Sequence, residues 1–200
     1  TAIYQPKDKT KQYPVLLNRT PYTVAPYGTD AYKKTLGNFP AEMHEGFIFV
    51  YQDVRGKWMS EGEFEDVRPI NSSKSKKSTD ESTDTYDTLE WLEKNLKNYT
   101  KKAGIYGISY PGFYSTISLV NSHPTLKAVS PQAPVTDWFL GDDFHHNGVL
   151  FLNDSFKFMS SFGVKRPHPI TPDKGPKSFD YPVKDNYRFY LESGSVKELK

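Results

Sequence analysis

A serine stands between two glycines at the point where an apolar run passes into a helix-like segment. Residues 107–112 read GISYPG and follow directly on the apolar stretch 103–108. Burying a serine at such a turn does not stabilise the fold, so the residue indicates chemistry. The chemistry would be attack by the Ser109 hydroxyl on a carbonyl carbon. A hydroxyl is a weak nucleophile until a base removes its proton. The alternative is that Ser109 is an ordinary turn residue and that the glycines serve packing alone.

The arrangement is typical of a nucleophile elbow, the tight strand-to-helix turn that carries the serine of α/β-hydrolases. Gly107 and Gly112 fall where such a turn passes close to neighbouring elements. The second glycine stands one place later than in the common G-x-S-x-G pattern, because Pro111 occupies that place. Proline suits the first turn of a helix, where its missing N–H is not required. We therefore expect a helix to begin at Tyr110 or Pro111, with the backbone N–H of Tyr110 directed at a developing oxyanion.

Elements of alternating type surround this turn. Short apolar runs predict buried strands, and apolar residues at helical spacing predict a helix before the serine and another after it. The predicted strands are 13–18, 46–53, 103–108 and 126–134, and the predicted helices are 82–96 and about 111–122. Strands that alternate with helices favour a mostly parallel α/β sheet with helices on both faces. This is the α/β-hydrolase fold, here in an incomplete form.

The pattern changes after Pro134. Residues 136–163 are aromatic and acidic, and their apolar positions favour helices over strands. A long loop is expected over 165–184, followed by one more short helix. We therefore predict two parts, with 1–135 as the N-terminal part of a hydrolase domain and 136–200 as the start of a helical cap over the sheet.

The composition excludes several classes of protein. The 200 residues carry a net charge of +2 with both signs interspersed, so neither a nucleic-acid partner nor a membrane surface is expected. The lysine-rich stretch 71–82 is interpreted as a solvated surface segment, because acids follow the lysines at once. No cysteine is present, which excludes disulfides and thiolate metal sites. No apolar run approaches the roughly 20 residues of a membrane span.

Five blocks of sequence, spread in order from Pro14 to Leu152, carry a resemblance to a known family. They are PVLLNRTPY, YQDVRGKWMSEGEF, DESTDTYDTLEWL, the long block that begins GISYPGFYSTISL, and GDDFHHNGVLFL. Together they resemble the CocE/NonD hydrolase family, which groups esterases and acylases with the X-Pro dipeptidyl-peptidases. The resemblance implies a serine hydrolase that acts on ester or amide bonds through an acyl-enzyme intermediate, without a cofactor.

The resemblance also implies roles for particular residues. Ser109 is then the nucleophile, the Tyr110 backbone N–H is one oxyanion donor, and the phenol of Tyr22 is the second. Asp53 and Arg55 are interpreted as structural partners beneath the site. The implied partner is a small ester, amide or peptide substrate. A homo-oligomer is compatible with the sequence, and a cytoplasmic location is expected.

The acid and the base of this family come later in the chain, in the order Ser, Asp, His and after further strands. Only one strand is predicted after Ser109, and no histidine present is expected to act as the base. These histidines are His44, His123, His145, His146 and His168. We therefore expect this chain to be an interior piece of a longer protein, without its catalytic Asp and His and without the family's C-terminal β-sandwich. The first residues also predict the end of a strand, so earlier residues are expected.

Two alternatives stay open at this point. Carboxylates and imidazoles lie close together in GDDFHH, and such side chains suit zinc or another divalent ion in a metal-assisted hydrolase. The residues concerned are Asp142, Asp143, His145 and His146. The other alternative is a catalytically inactive α/β fragment that serves only binding. Metal analysis tests the first, and a serine-reactive fluorophosphonate probe tests the second.

Overall fold

The fold was analysed in a computed structural model that describes residues 1–37, 39–71, 79–175 and 177–199. Most of the predicted lysine-rich surface segment, residues 72–78, lies outside the described residues. The chain forms two compact units. The first comprises Thr1–Thr136 with Lys165–Gly175, and the second comprises Asp137–Val164 with Pro176–Lys200.

A five-stranded sheet forms the centre of the first unit. Its strands are β1 (Ala2–Tyr4), β2 (Tyr13–Thr20), β3 (Ile48–Asp53), β4 (Tyr99–Ile108) and β5 (Leu126–Gln132). They lie side by side in the order β1-β3-β2-β4-β5. β1 runs antiparallel to β3, and all other neighbours are parallel, so the predicted mostly parallel α/β sheet is confirmed. Because β2 and β4 are neighbours, the residues that follow them meet at one edge of the sheet.

Three helices connect the parallel strands. They are α1 (Ala41–Gly46), α2 (Glu81–Asn95) and α3 (Tyr110–Ile117). α2 begins where the sequence supplies a strong N-terminal signal, because the Asp80 carboxylate accepts the backbone N–H groups of Ser82 and Thr83. Its Leu89 and Leu92 are fully buried against the sheet.

Both faces of the sheet are covered. Val15 and Leu17 of β2 pack with the buried leucines of α2 on one face. Phe49 and Tyr51 of β3 pack with Val24 on the opposite face, together with residues of the segment that leads to β3. Side chains of a strand alternate between faces, so the continuous apolar runs seen in the sequence are what a doubly covered sheet requires.

The helix after the serine is shorter than predicted. It ends at Ile117, whereas the sequence pattern predicted a helix to about Ser122. The next backbone bonds span only three residues, from Leu119 to Thr116 and from Val120 to Ile117. Asn121 then adopts a left-handed conformation at φ 49°, which ends the helical turn.

The second unit contains two strands in the segment 136–163, where helices were predicted, so the prediction was wrong for residues 145–150, whereas residues 152–162 do form a helix. β6 (His145–His146) and β7 (Val149–Leu150) pair as a short antiparallel hairpin. The intervening Asn147 and Gly148 have φ 50° and 81°, and an Asn-Gly pair with two positive φ angles is the preferred two-residue hairpin turn. This local signal outweighs the helical spacing of the apolar residues around it.

The helices of the second unit are α4 (Leu152–Phe162) and α5 (Asn186–Ser193), the latter close to the short helix predicted over 184–193. Rings of both helices pack together, with Phe156 against Phe189 and Tyr190. Short 3-10 turns cover Pro172–Lys174 in the first unit and Val196–Glu198 in the second. Among the described residues, no helix combines the length and apolar character that crossing a bilayer requires.

Candidate functional site

Ser109 occupies the turn between β4 and α3, and its backbone is strained. Its φ of 61° and ψ of −121° lie outside the regions that side-chain-bearing residues usually adopt. Such outliers cost of order 1–3 kcal/mol and persist only where the surroundings enforce them. Ser109 stands at the N-cap position of α3, yet its hydroxyl makes no capping hydrogen bond to that helix. The turn therefore directs the hydroxyl away from the structural role that a serine at this position normally takes.

The glycines of the turn are required by close packing. A Cβ on Gly107 would overlap the backbone carbonyl of Pro111, and a Cβ on Gly112 would come within 2.7 Å of the Gln132 carbonyl oxygen. The Ser109 N–H donates to that same carbonyl at 2.9 Å. The elbow is thus pressed between its own helix and the end of β5, which explains both the spacing of the glycines and the strain at Ser109.

The side chain of Tyr110, the first residue of α3, is held by hydrogen bonds to its hydroxyl. Its hydroxyl donates to the Asp66 carboxylate at 2.7 Å and accepts the Val67 backbone N–H at 2.7 Å. Its ring is buried and stacks on Tyr114, with centroids 5.2 Å apart. Burial raises the pKa of the Tyr110 phenol, as does the neighbouring Asp66, so this group stays a donor at all ordinary pH values.

Tyr22 lies two residues beyond the end of β2, next to Tyr110. The two rings meet edge-on with centroids 6.4 Å apart, and Tyr22 remains 43% exposed. Its N–H donates to the Thr20 hydroxyl at 3.1 Å, and the indole N–H of Trp58 donates to the Pro21 carbonyl at 3.1 Å. The structure therefore brings Tyr22 beside the residue that follows Ser109, at the carboxyl edge of the sheet where ligands bind in such folds.

Asp53 and Arg55 have structural contacts. The Asp53 carboxylate accepts the Tyr27 hydroxyl at 2.5 Å and the Val24 N–H at 3.0 Å. Burial raises the pKa of Asp53. Arg55 makes a two-pronged contact with Asp84 of α2, at 2.9 and 2.5 Å. Both side chains thus tie loops to the sheet and to α2.

A buried ion pair lies between β2 and α2. Arg19 and Glu81 are each 1% exposed, and Arg19 Nη2 lies 3.3 Å from Glu81 Oε2. The remaining donors of Arg19 reach the Glu81 carbonyl, the Thr85 hydroxyl and the Gln52 amide oxygen. Burial raises the pKa of Glu81, and the charge of Arg19 opposes that rise. The pair joins the strand that precedes Tyr22 to the helix beside the elbow.

The histidines are engaged elsewhere. His123 is buried, with Nδ1 at Thr125 and Nε2 3.0 Å from Glu90. His44 packs its ring on Phe49. His145 bonds the Trp138 carbonyl, and the remaining two are His146 and His168. In the part of the chain that the structure describes, no hydrogen bond joins the Ser109 hydroxyl to a histidine.

The metal cluster proposed from GDDFHH does not assemble. No three of its four side chains bring their ligand atoms within 4.8 Å of one another; these are Asp142, Asp143, His145 and His146. Neighbouring residues of a tight hairpin, and of the segment that leads into it, direct their side chains in different directions. The four possible ligand groups therefore do not converge on one point. Among the described residues, the group that meets this distance is Glu90, Glu93 and His123.

That second group is organised as a hydrogen-bonded structure rather than as a ligand set. The Thr125 backbone N–H donates to His123 Nδ1, so the ring proton lies on Nε2 and faces Glu90. A metal on Nε2 would force a proton onto Nδ1, against that N–H donor. Both carboxylates are also paired, Glu90 with Lys94 at 2.5 Å and Glu93 with Lys101 at 3.1 Å.

Two residues of the site were not anticipated from the sequence. Asp66 and Trp58 belong to the loop between β3 and α2, where the pattern indicates only a polar loop with glycines. Asp66 is 44 residues distant from Tyr110 along the chain, and Trp58 is 37 residues distant from Pro21. Neither the periodicity of apolar residues nor the spacing of a motif predicts contacts between residues so distant in the sequence. The one available signal was the size of Trp58, since a tryptophan in a loop usually packs against something.

Comparisons with known proteins identify the family to which this chain belongs. The model of the X-Pro dipeptidyl-peptidase (S15) family matches residues 1–177. Cocaine esterase of Rhodococcus sp. (strain MB1 Bresler) is 28% identical over 148 residues, which cover 74% of this chain and 23% of that protein.

Two solved structures superpose with a TM-score of 0.73. One is an aminopeptidase from the marine sediment archaeon Thaumarchaeota archaeon, 32% identical, with 98% of this chain and 32% of that chain covered. The other is a selenomethionine-labelled α-amino acid ester hydrolase, 29% identical, with 98% and 31% covered. The chain therefore spans 23–32% of the length of these relatives. With the family model matched over most of its length, the chain belongs to the X-Pro dipeptidyl-peptidase (S15) family, the CocE/NonD group of hydrolases that its sequence blocks resemble.

Proposed function

We propose that the protein carrying this chain is a serine hydrolase that cleaves ester or amide bonds of small molecules or peptides through an acyl-enzyme. The observation that carries the proposal is the strained backbone of Ser109, whose hydroxyl is not used to cap the helix it precedes. The names of its relatives, an esterase, an ester hydrolase and an aminopeptidase, support acyl bonds to oxygen or nitrogen as the target.

The proposed reaction runs in two halves. The Ser109 Oγ attacks the substrate carbonyl carbon and its proton passes to a base, which gives a tetrahedral oxyanion. The Tyr110 N–H and the Tyr22 hydroxyl stabilise that oxyanion, and its collapse releases the alcohol or amine, which takes the proton from the base. Water then attacks the acyl-enzyme with the same base, and Ser109 regains its proton as the carboxylic acid leaves.

The proton acceptor in this proposal is a residue of the protein outside these 200 residues. His123 has both ring nitrogens engaged, and the remaining histidines lack a hydrogen bond to Ser109 among the described residues. The share of each relative that this chain covers, 23–32%, leaves ample sequence in those proteins for such a group.

Labelling with a fluorophosphonate tests the proposal, because such probes phosphonylate only an activated serine. In the protein that carries this chain, the label is expected on Ser109, and Ser109→Ala is expected to abolish both labelling and ester hydrolysis. Ser122→Ala is the matched control, since Ser122 is exposed beyond the end of α3 and outside the elbow. Retained hydrolysis in Ser109→Ala would show that the elbow is not the active site. No labelling of the wild-type protein would favour an inactive binding module.

A further inference from the structure

The loop between β3 and α2 makes one contact directly before Tyr22 and another at Tyr110, although neither of these proposed oxyanion donors belongs to the loop. At residue 58 the indole N–H of Trp58 donates to the carbonyl of Pro21, directly before Tyr22. At residues 66 and 67 the loop grips the Tyr110 hydroxyl between the Asp66 carboxylate and the Val67 N–H. One segment therefore holds the turn that carries the Tyr22 phenol. It also holds Tyr110, the residue that carries the backbone N–H.

From this double contact we propose that residues 54–71 of the β3–α2 loop are the positioning frame of the oxyanion hole, with Trp58 and Asp66 as the positioning residues. The inference rests on the proposed serine hydrolase function and deepens it. Trp58 acts on Tyr22 through the Pro21 carbonyl, and Asp66 acts on the Tyr110 N–H through the side chain of the same residue.

The contact at Tyr110 is well suited to fix a backbone group. The phenol oxygen lies at the far end of a stiff ring, so holding it by two hydrogen bonds of 2.7 Å fixes the orientation of the whole residue. The rest of the ring is confined by Tyr114 and Phe113, with centroids 5.2 and 6.0 Å away. The N–H of Tyr110 is left with little freedom relative to Ser109, as an oxyanion donor requires.

The backbone of the loop is strained at the two points of contact. Trp58 has φ 45° and Val67 has φ 40°, a left-handed conformation that is rare for a residue with a branched or bulky side chain. Strain of this kind persists only where surrounding contacts over-determine it, and it concentrates at functional sites. In this loop it coincides with the residues that reach Pro21 and Tyr110.

Contacts on the far side of the loop make it a rigid support. Arg166 donates from Nε to the Gly56 carbonyl at 2.8 Å and from Nη2 to the Ser60 carbonyl. The Ser60 hydroxyl donates to the Asp53 carbonyl at 2.6 Å, and the Ile170 N–H donates to the Trp58 carbonyl at 3.0 Å. The loop is therefore held to β3 and to the segment Lys165–Gly175, and it can hold Tyr22 and Tyr110 in turn.

Variants of Asp66 test the contact with Tyr110 in the protein that carries this chain. Asp66→Ala removes the acceptor, and we expect kcat to fall about 10- to 100-fold with KM little changed, because a small misplacement of a reacting group costs about that much. Asp66→Asn keeps an acceptor oxygen and is expected to restore most of kcat. Glu63→Ala, in the same loop but 87% exposed in its side chain, is the control.

Double variants separate positioning from a general loss of stability. If Asp66 acts through the Tyr110 hydroxyl, Asp66→Ala adds nothing to the loss already caused by Tyr110→Phe. By the same reasoning Trp58→Phe, which removes the indole N–H, lowers kcat in the wild type but has no further effect in Tyr22→Phe. Rates are expressed per fluorophosphonate-reactive site, so a partly unfolded sample does not imitate the effect.

The outcomes test the positioning role of the loop separately from the proposed serine hydrolase function. Normal kcat per reactive site in Asp66→Ala and Trp58→Phe, with Ser109→Ala inactive, would overturn the positioning frame and leave the serine hydrolase intact. Additive losses in both double variants would overturn it as well. Activity in Ser109→Ala would instead remove the proposed function. If Asp66→Ala fails to fold, Tyr110→Phe against wild type decides, since an unchanged kcat there overturns the role of the contact.

Discussion

The ring of Tyr22 meets the ring of Tyr110 edge-on, at 6.4 Å between centroids and 82° between planes. The two residues follow β2 and β4, strands that are 79 residues or more apart in sequence and neighbours in the sheet. This geometry is the favourable one for aromatic pairs, because the positive edge of one ring faces the negative face of the other. The contact brings Tyr22 next to Tyr110, the residue that follows Ser109, at one edge of the sheet.

Removal of the Tyr22 hydroxyl is expected to slow catalysis without weakening substrate binding. Tyr22→Phe keeps the ring contact and deletes one oxyanion donor, so kcat should fall about 10²–10³-fold while KM changes little. Steady-state kinetics with an ester substrate measures both constants. Tyr32→Phe, which alters a tyrosine that is 68% exposed, should match wild type. A Tyr22→Phe enzyme with wild-type kcat would exclude the oxyanion role.

Gly107 should not tolerate even one added methyl group. In Gly107→Ala the Cβ would overlap the Pro111 carbonyl, which belongs to the first turn of α3 and cannot withdraw without distorting the elbow. We expect a loss of about 3 kcal/mol or more in the free energy of unfolding, at the upper end for overpacked sites. Urea denaturation measures it. Gly46→Ala is the control, since nothing lies within 4 Å of a Cβ at Gly46 and its stability should stay near wild type.

The buried Arg19–Glu81 pair should be intolerant of losing one partner. Arg19→Met leaves a carboxylate that is 1% exposed without its nearest cation, and we expect a loss of about 3–5 kcal/mol in the free energy of unfolding. Adding Glu81→Gln removes the stranded charge and should recover part of that loss. Arg188→Met, which breaks a solvent-exposed pair with Glu192, should leave the urea midpoint nearly unchanged. Equal effects of Arg19→Met and Arg188→Met would contradict this account.

Lys57 should react as an amine at unusually low pH. Burial lowers its pKa to about 8, from an ordinary value of 10.5, with Asp66 opposing the shift. Trace acetylation followed by mass spectrometry should therefore give a reactivity midpoint near pH 8, with the exposed Lys7 as an internal reference for the reagent. A midpoint near 10.5 would show that the amine is fully solvated.

The same shift has a consequence for stability. Between pH 8 and 10.5 the unfolded chain binds the Lys57 proton more tightly than the folded chain, so stability rises with pH through this window. Lys57→Met removes the charge that burial disfavours. Its advantage over wild type in urea denaturation should therefore be greatest below pH 8 and shrink towards pH 10.5. An advantage that is constant over this range would contradict the assignment.

Much of the fold follows from local patterns in the sequence. The apolar runs that became β2 and β3 are visible without a structure, because a strand covered on both faces must be apolar on both. The elbow is equally local, since Gly107, Ser109, Pro111 and Gly112 lie within six residues. The hairpin at Asn147-Gly148 was also available from the sequence, but the helical spacing of nearby apolar residues obscured it.

Only the tertiary structure decided which distant residues serve the elbow. Nothing near Tyr110 in the sequence indicates Asp66, and nothing near Pro21 indicates Trp58. Their contacts exist because β2 lies between β3 and β4, so the loops that follow these strands converge at one edge of the sheet. Periodicity reports which face of an element is buried, but the order of strands, and with it the partner of each polar side chain, is set by packing of the whole sheet.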